Sequence, residues 1–325
     1  MSRSRMSKGL AVVSEFLALG ALLATSAHAQ PAVATEPRAV AATASAPGPT
    51  ASDRQPALAS AHALVVDEHT GAVLLTKEAQ APVPMASLTK LLTVMVVLDR
   101  HQDLTEVLDI APLDLDTLKH THSGVPVGAR LTRAQLVEIA LMASDNHAAS
   151  SLARHYPGGL PGFLAAVQAK AKALGLRSTH VVEPTGLSPD NQSSAADVAL
   201  VLAAATRYPQ IAEATTQARA TWGAAPREHE VRNTNALVGR PGWDILMSKT
   251  GFTNEAGRCL AMRLRVAGRT VLVVLLDAQA ATARTLDAVN IQRWLEGQVA
   301  LVSLPAEFGT PKGHARVIAH RPHVV

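Results

Sequence analysis

Ser87 and Lys90 stand three positions apart in Met85-Ala86-Ser87-Leu88-Thr89-Lys90, just ahead of the apolar run Leu-Leu-Thr-Val-Met-Val-Val-Leu at 91–98. Residues at that spacing share a helix face, so a hydroxyl is set beside an amine. A serine hydroxyl becomes a useful nucleophile when a neighbouring group takes its proton. An amine can take it only if its pKa has fallen, through burial or through a second cation nearby. Alone, the pair also fits an N-cap serine followed by a surface lysine. Two further clusters change its weight: Ser144-Asp145-Asn146 and Lys249-Thr250-Gly251, in an order and at separations that suit one cleft.

The elements around these clusters can be read from the chain. The run after Lys90 is apolar nearly all round, which marks a buried helix with Ser87 and Lys90 at its N-terminal end. Thr132-Arg133-Ala134-Gln135 has the spacing of a capping box, and Leu136, Ile139, Ala140 and Ala143 continue it at helical period. That helix breaks at Ser144-Asp145-Asn146, and a second one is expected from His147 to His155. Another fits Pro161 to Leu174 with Gly175 as its stop, and Ser194 to Asp197 opens one more. Ile245 to Thr250 is strand-like. Leu260, Met262, Leu264 and Val266 alternate with Arg263 and Arg265, as in a half-buried strand, and Val271 to Leu276 suits a central strand. Two strands around Glu68-His69-Thr70-Gly71 open the domain, and a helix from Leu286 to Val299 could cover the sheet. The economical plan is a sheet made from both ends of the chain with a helical insertion.

Composition narrows the function classes. The chain has 325 residues, 48% of them hydrophobic but only 3% aromatic, so its core is aliphatic and it has little material for stacking bases. Arg3, Arg5 and Lys8, an apolar run from Phe16 to Thr25, and Ala27-His28-Ala29 follow the grammar of a cleavable secretory signal over residues 1–29. That run is too short to span a bilayer, although a stop-transfer anchor is the rival reading. No later stretch offers a second span, so no stable membrane span is expected after cleavage. Residues 30–57 read as an Ala/Pro-rich linker, 58–303 as the folded domain and 304–325 as a basic tail. The signal and the tail each carry a net +2 of the chain's +4, which leaves a neutral body and no nucleic-acid footprint. The single cysteine, Cys259, cannot form an internal disulfide and reads as a small core residue.

The Ser-x-x-Lys, Ser-Asp-Asn and Lys-Thr-Gly trio is the signature of penicillin-binding proteins and class A β-lactamases. The likeness extends to Ala140-Leu141-Met142-Ala143, His155-Tyr156-Pro157-Gly158-Gly159, Glu183-Pro184-Thr185-Gly186-Leu187, Arg232-Asn233-Thr234-Asn235 and Phe252-Thr253-Asn254. Over roughly residues 58–303 the chain resembles the D-alanyl-D-alanine peptidases, nearest to the penicillin-binding protein 7 type of D-alanyl-D-alanine endopeptidase. The resemblance implies an α/β (α+β) penicillin-recognising, β-lactamase-like fold, with an antiparallel sheet and a helical subdomain. It implies a periplasmic serine peptidase that cuts D-alanyl bonds of peptidoglycan stem peptides through an acyl-enzyme on Ser87. β-Lactam antibiotics would be covalent inhibitors, and neither a cofactor nor a metal is expected. Endopeptidase action is favoured. Carboxypeptidase action, a β-lactamase and a non-catalytic peptidoglycan-binding module are the alternatives.

In that reading Lys90 is the base, Lys249 supplies the second positive charge, and Ser144 passes the proton to the leaving amine. Asn146 holds a substrate peptide group, while Lys249 and Thr250 suit a carboxylate. Gly251 allows close approach of the backbone on an edge strand that pairs with an extended peptide. The amides of Ser87 and Phe252 would form the oxyanion hole. Asp145 is expected to point out of the cleft and matter little, and Gly124 stands where an arginine would be expected after Ser123. Glu183 could be a lactamase-type deacylation base, but a loop-shaping role fits its motif better. His120, His122, His314, His320 and His323 lack the partners of a metal site. His147 and Asp145 could suggest a triad with Ser87, though the lysine-based reading accounts for more residues.

Overall fold

The computed structural model describes residues 55–224, 227–280 and 282–302. The expected signal, most of the linker and the basic tail lie outside the described residues. The elements run β1 (His62–Asp67), β2 (Val73–Lys77), β3 (Val83–Pro84), α1 (Thr89–Asp99), β4 (Val107–Asp109), β5 (Arg130–Thr132), α2 (Arg133–Met142), α3 (Asn146–Arg154) and α4 (Gly159–Ala173). There follow β6 (Gln192–Ser193), α5 (Ala195–Ala205), α6 (Pro209–Thr216), β7 (Arg219–Ala224), β8 (Arg227–Arg232), β9 (Asp244–Thr253), β10 (Gly257–Val266), β11 (Arg269–Ala278) and α7 (Ala283–Val302).

The main sheet has the order β2-β1-β11-β10-β9 and its pairings are antiparallel. It joins both ends of the domain, as the sequence plan requires, because β1 pairs along β11 from His62↔Leu276 to Asp67↔Val271. β11 is apolar from Val271 to Leu276 because both of its faces are covered there. Leu272, Val274 and Leu276 face the helical core with Leu91, Leu92, Met95 and Leu152. Val271, Val273 and Leu275 join the second core with Ala288, Ile291 and Leu295 of α7. The strand period of two sorts these residues onto opposite faces. In β10, Leu260, Met262 and Leu264 take the α7 side, while Arg263 turns to the Glu68 carboxylate.

Helix starts follow the expected chemistry. Thr132 and Gln135 form the reciprocal capping box of α2, and Ser194 accepts from the Asp197 amide at the start of α5. The helix expected from His147 begins at Asn146, capped by Asp145, and α4 begins two residues before Pro161. α1 is buried from Thr89 to Val97, and each leucine and valine side chain in that stretch contributes about 1.5–3 kcal/mol by leaving water. One detail differs from expectation: Ser87 lies not in α1 but in a single 3-10 turn, Ala86–Leu88, that leads into it, and it makes no cap hydrogen bond. α6 and the β7–β8 hairpin are additions to the plan expected from the sequence. No helix among the described residues is long and apolar enough to cross a membrane.

Candidate active site

The turn that carries Ser87 is wedged between two glycines. A Cβ on Gly186 would stand 1.9 Å from the Ala86 carbonyl oxygen, and Gly186 has φ +85°, so no other residue fits there. A Cβ on Gly251 would meet the Ala86 side chain at 3.0 Å and the Ser87 nitrogen at 3.1 Å. The loop 183–187 therefore presses on one side of the turn and β9 on the other. Ala86 itself is left-handed, with φ +47°, a strained state that this packing enforces.

Lys90 is fully buried, and its ammonium position has three oxygen partners: Ser87 Oγ at 2.8 Å, Asn146 Oδ1 at 2.7 Å and the Thr185 carbonyl at 2.8 Å. The last two can only accept. A neutral Lys90 must spend its two N–H bonds on them, which leaves its lone pair for the Ser87 hydroxyl. Burial lowers the Lys90 pKa from the ordinary ammonium value to about 8, against the opposing pull of Glu183, Asp145 and Asp116.

The other two clusters converge on this pair. Ser144, left-handed at φ +59°, accepts from Lys249 Nζ at 2.8 Å, and Lys249 also donates to the Thr250 carbonyl. Lys249 is buried, and burial, then the charge of Lys90 and then that of Arg284 hold its pKa well below the ordinary range. Thr250 Oγ1 donates to Thr234 Oγ1 at 2.6 Å. Asn146 Nδ2 donates to Thr121 Oγ1 at 2.7 Å, which orients its amide oxygen toward Lys90. β9 is an edge strand of the sheet, as expected for a segment that pairs with a peptide. The Phe252 side chain is half exposed under the Arg258 guanidinium, so a role at the site falls to its backbone.

The neighbours of the site correct one reading and support another. Asp145, expected to matter little, is buried: its Oδ1 caps α3 through the Ala148 amide, and its Oδ2 accepts from Ser123 Oγ at 2.6 Å and the Gly124 amide at 3.0 Å. It ties the segment before α2 to the motif. A residue between Ser144 and Asn146 whose side chain turns away from Lys90 is still an anchor. Glu183 accepts from the amides of Thr185, Gly186 and Ser188, the Thr185 hydroxyl and the Asn191 amide. A carboxylate so engaged shapes its loop. His147 is buried against the Val125 carbonyl and His120 and His122 are exposed. The buried Cys259 thiol is pushed up to about 11 by desolvation.

Three contributors escaped the sequence reading. The Thr185 carbonyl is a backbone group, for which side-chain type gives no signal. Thr234 could have been found only through the Arg232-Asn233-Thr234-Asn235 stretch. Arg284, at the start of α7, donates to the Gly251 carbonyl at 2.8 Å and the Cys259 carbonyl at 3.1 Å, bracing β9 from its far side. Its separation from Lys249 follows no local period.

With this geometry in view, comparison with known proteins is decisive. Residues 49–280 match the family model described as D-alanyl-D-alanine carboxypeptidase. The chain belongs to that family. It is a serine DD-peptidase, and so a hydrolase. It is 43% identical to a D-alanyl-D-alanine endopeptidase of Pseudomonas aeruginosa over 83% of this chain and 88% of that protein. It is 42% identical to a D-alanyl-D-alanine endopeptidase of Escherichia coli over 82% of this chain and 85% of that one. Among solved structures, a DD-transpeptidase of Streptomyces superposes with a TM-score of 0.69 at 25% identity, over 74% of this chain and 98% of that one. The family's fold is thus the fold described above, with its mixed helices and antiparallel sheet.

Proposed function

We propose that this family member is a D-alanyl-D-alanine endopeptidase that cuts cross-links of peptidoglycan through an acyl-enzyme on Ser87. The observation that carries the chemistry is the buried Lys90, whose lone pair has only the Ser87 hydroxyl to face. Neutral Lys90 takes the Ser87 proton as Oγ attacks the D-alanyl carbonyl. The oxyanion sits between the backbone amides of Ser87 and Phe252. Ser144 relays a proton to the departing amine nitrogen as the C–N bond breaks. Water then adds to the ester, its proton returning through Lys90, and the carboxylate product leaves.

Lys249 and Thr250 hold the substrate carboxylate, Asn146 a peptide group, and Gly251 lets the peptide lie close to β9. A carboxylate beside Lys249 raises its pKa again and keeps the charge there, which leaves Lys90 as the amine that loses its proton. β-Lactams acylate Ser87 by the same route. The 1–29 signal sends the protein to the periplasm, and the 58–303 unit is the catalytic domain.

Endopeptidase action is favoured over carboxypeptidase action by the names of the relatives at 42–43% identity. Digestion of purified cross-linked muropeptide dimers tests the choice. Dimers should fall to monomers, and dimers that persist while monomers lose terminal D-alanine would reverse it. The β-lactamase alternative lacks a free deacylation base in Glu183, and a stable fluorescent-penicillin adduct on Ser87 separates it from a peptidase.

A further inference from the structure

Asn191 is wholly buried beside the site, and no step above uses it. β3 and β6 pair through Val83↔Ser193 and Pro84↔Gln192, and the next rung brings the Met85 amide to the Asn191 carbonyl at 3.0 Å. The chain then enters the Ser87 turn. Backbone pairing thus seats Asn191 against the turn independently of its side chain.

The side-chain amide spends its hydrogen-bonding capacity on two segments. Oδ1 accepts from the amides of Val182 at 2.8 Å and Glu183 at 3.3 Å. Nδ2 donates to the Glu183 carbonyl at 2.8 Å, to Glu183 Oε1 at 2.9 Å and to Thr89 Oγ1 at 3.2 Å. Thr89, also wholly buried, is the first residue of α1, and its hydroxyl donates onward to the Ala86 carbonyl at 2.8 Å. A methyl group in place of that hydroxyl can neither accept from Asn191 nor donate to the turn. Through Thr89, then, Asn191 reaches the carbonyl that precedes Ser87. Through Glu183 it reaches the loop whose Thr185 carbonyl accepts from Lys90.

We propose that Asn191 is a positioning residue for acylation: its buried amide holds the Thr185 carbonyl and the Ser87 turn in register, so that the lone pair of Lys90 is left to Ser87 Oγ. It hydrogen-bonds to neither Ser87 nor Lys90 and acts through Thr89 and Glu183. The inference rests on the reading above, in which Lys90 activates Ser87. Without the amide the loop draws back and water reaches the amine. Burial is the chief cause that lowers the Lys90 pKa; the carboxylates of Glu183, Asp145 and Asp116 oppose it, and Lys249 is the cation that Lys90 faces. Water at the amine moves it back toward the ordinary ammonium range, and the lone pair loses its fixed direction.

The test is rapid-quench labelling with fluorescent penicillin from pH 6 to 10, which gives a binding constant, a maximal acylation rate and a pH midpoint for each variant. In Asn191→Ala the maximal rate should fall about a hundredfold while the penicillin binding constant changes by less than about threefold. The midpoint should move upward by about one pH unit. Thr89→Val keeps the branched shape of the buried side chain but lacks the hydroxyl, and should slow acylation about tenfold with a midpoint shifted in the same direction. Thr89→Ser keeps the hydroxyl and should stay within about twofold of the wild type. Circular dichroism and thermal melting report folding, and if Asn191→Ala does not fold, the two Thr89 variants decide. Variants that melt lower yet acylate at the wild-type rate and midpoint would make Asn191 a purely structural residue and overturn the inference. Equal losses in Thr89→Val and Thr89→Ser would overturn it too, because packing and not the hydroxyl would then be at work. A wild type that penicillin does not label removes the proposed function, whereas a labelled wild type with unaffected variants removes only the Asn191 assignment.

Discussion

The sharpest consequence of the buried Lys90 is a pH profile. If its amine must be neutral to take the Ser87 proton, acylation follows the neutral fraction of a group with a pKa of about 8. That fraction is about 1% at pH 6, about 9% at pH 7 and half at pH 8, from the titration relation. The first-order acylation rate at saturating penicillin should therefore rise about ninefold from pH 6 to 7 and about fivefold from pH 7 to 8, then level off within about a factor of two. Saturation matters because, in the proposed site, the penicillin carboxylate then lies beside Lys249 and holds its charge. Rapid-quench labelling with fluorescent penicillin, read as band intensity against time, gives the rate at each pH. A profile that is flat from pH 6 to 8, or that falls as pH rises, would refute a neutral Lys90 as base. Lys90→Met should leave only a residual, pH-independent rate, at least about 10³-fold slower.

Four other expectations can be checked directly. Because the folded-state pKa of Lys90 lies below the ordinary value of 10.5, its destabilising burial is fully present below pH 8 and is relieved as pH rises to 10.5; wild-type stability relative to Lys90→Met should climb by about 3 kcal/mol across that window in urea unfolding. Gly186→Ala places a methyl group inside the Ala86 carbonyl and should cost about 2–4 kcal/mol by thermal melting, with penicillin labelling of the folded fraction reduced. Glu183→Gln should lower stability by about 1–3 kcal/mol through weakened bonds to its five donors, yet leave the lifetime of the penicillin adduct within about twofold, contrary to a lactamase base. Arg284→Met removes the guanidinium that donates to the Gly251 carbonyl of β9 and the Cys259 carbonyl of β10, and should raise KM for the D-alanyl peptide about tenfold, measured by D-alanine release.

The sequence was most legible where chemistry imposes a type and a period. Ser87, Lys90, Ser144, Asn146, Lys249 and Thr250 could be named because few residue types suit the roles proposed for them, and the apolar patterns around them marked α1, α2 and β9 to β11. The run Val271 to Leu276 suited a central strand, since a strand covered on both faces is apolar at every position. What stayed hidden depends on tertiary proximity. Asp145 looked expendable because its partners, Ser123 and Gly124, come from a segment more than twenty residues away. Arg284 lies outside the helix expected from Leu286, and only the fold brings its guanidinium to the Gly251 carbonyl of β9. The 3-10 turn at Ser87 was invisible because it is set by Gly186 and Gly251, which press on it from distant parts of the chain.

Those glycines also explain how the site keeps its reactive geometry. Lys90 and Lys249 are both buried, and their charges repel, so local forces alone would drive the two amines toward water. Ala86 and Ser144 both sit in left-handed backbone states, each of which costs about 1–3 kcal/mol. None of these features would persist in a loosely packed loop. They persist because the Ser87 turn continues directly into α1, whose residues from Thr89 to Val97 are buried in the helical core, while Lys249 rides on β9, paired along β10 from Asp244 to Thr253. A core substitution that leaves every polar side chain in place should therefore still harm the chemistry. Leu92→Ala, buried at the base of α1, is expected to lower stability by about 2–5 kcal/mol. In the variant that remains folded at low temperature, relaxation of the turn should slow acylation more than it weakens penicillin binding. Equal acylation rates in the two folded proteins would show that the turn is held by its glycine wedge alone, without the helix behind it.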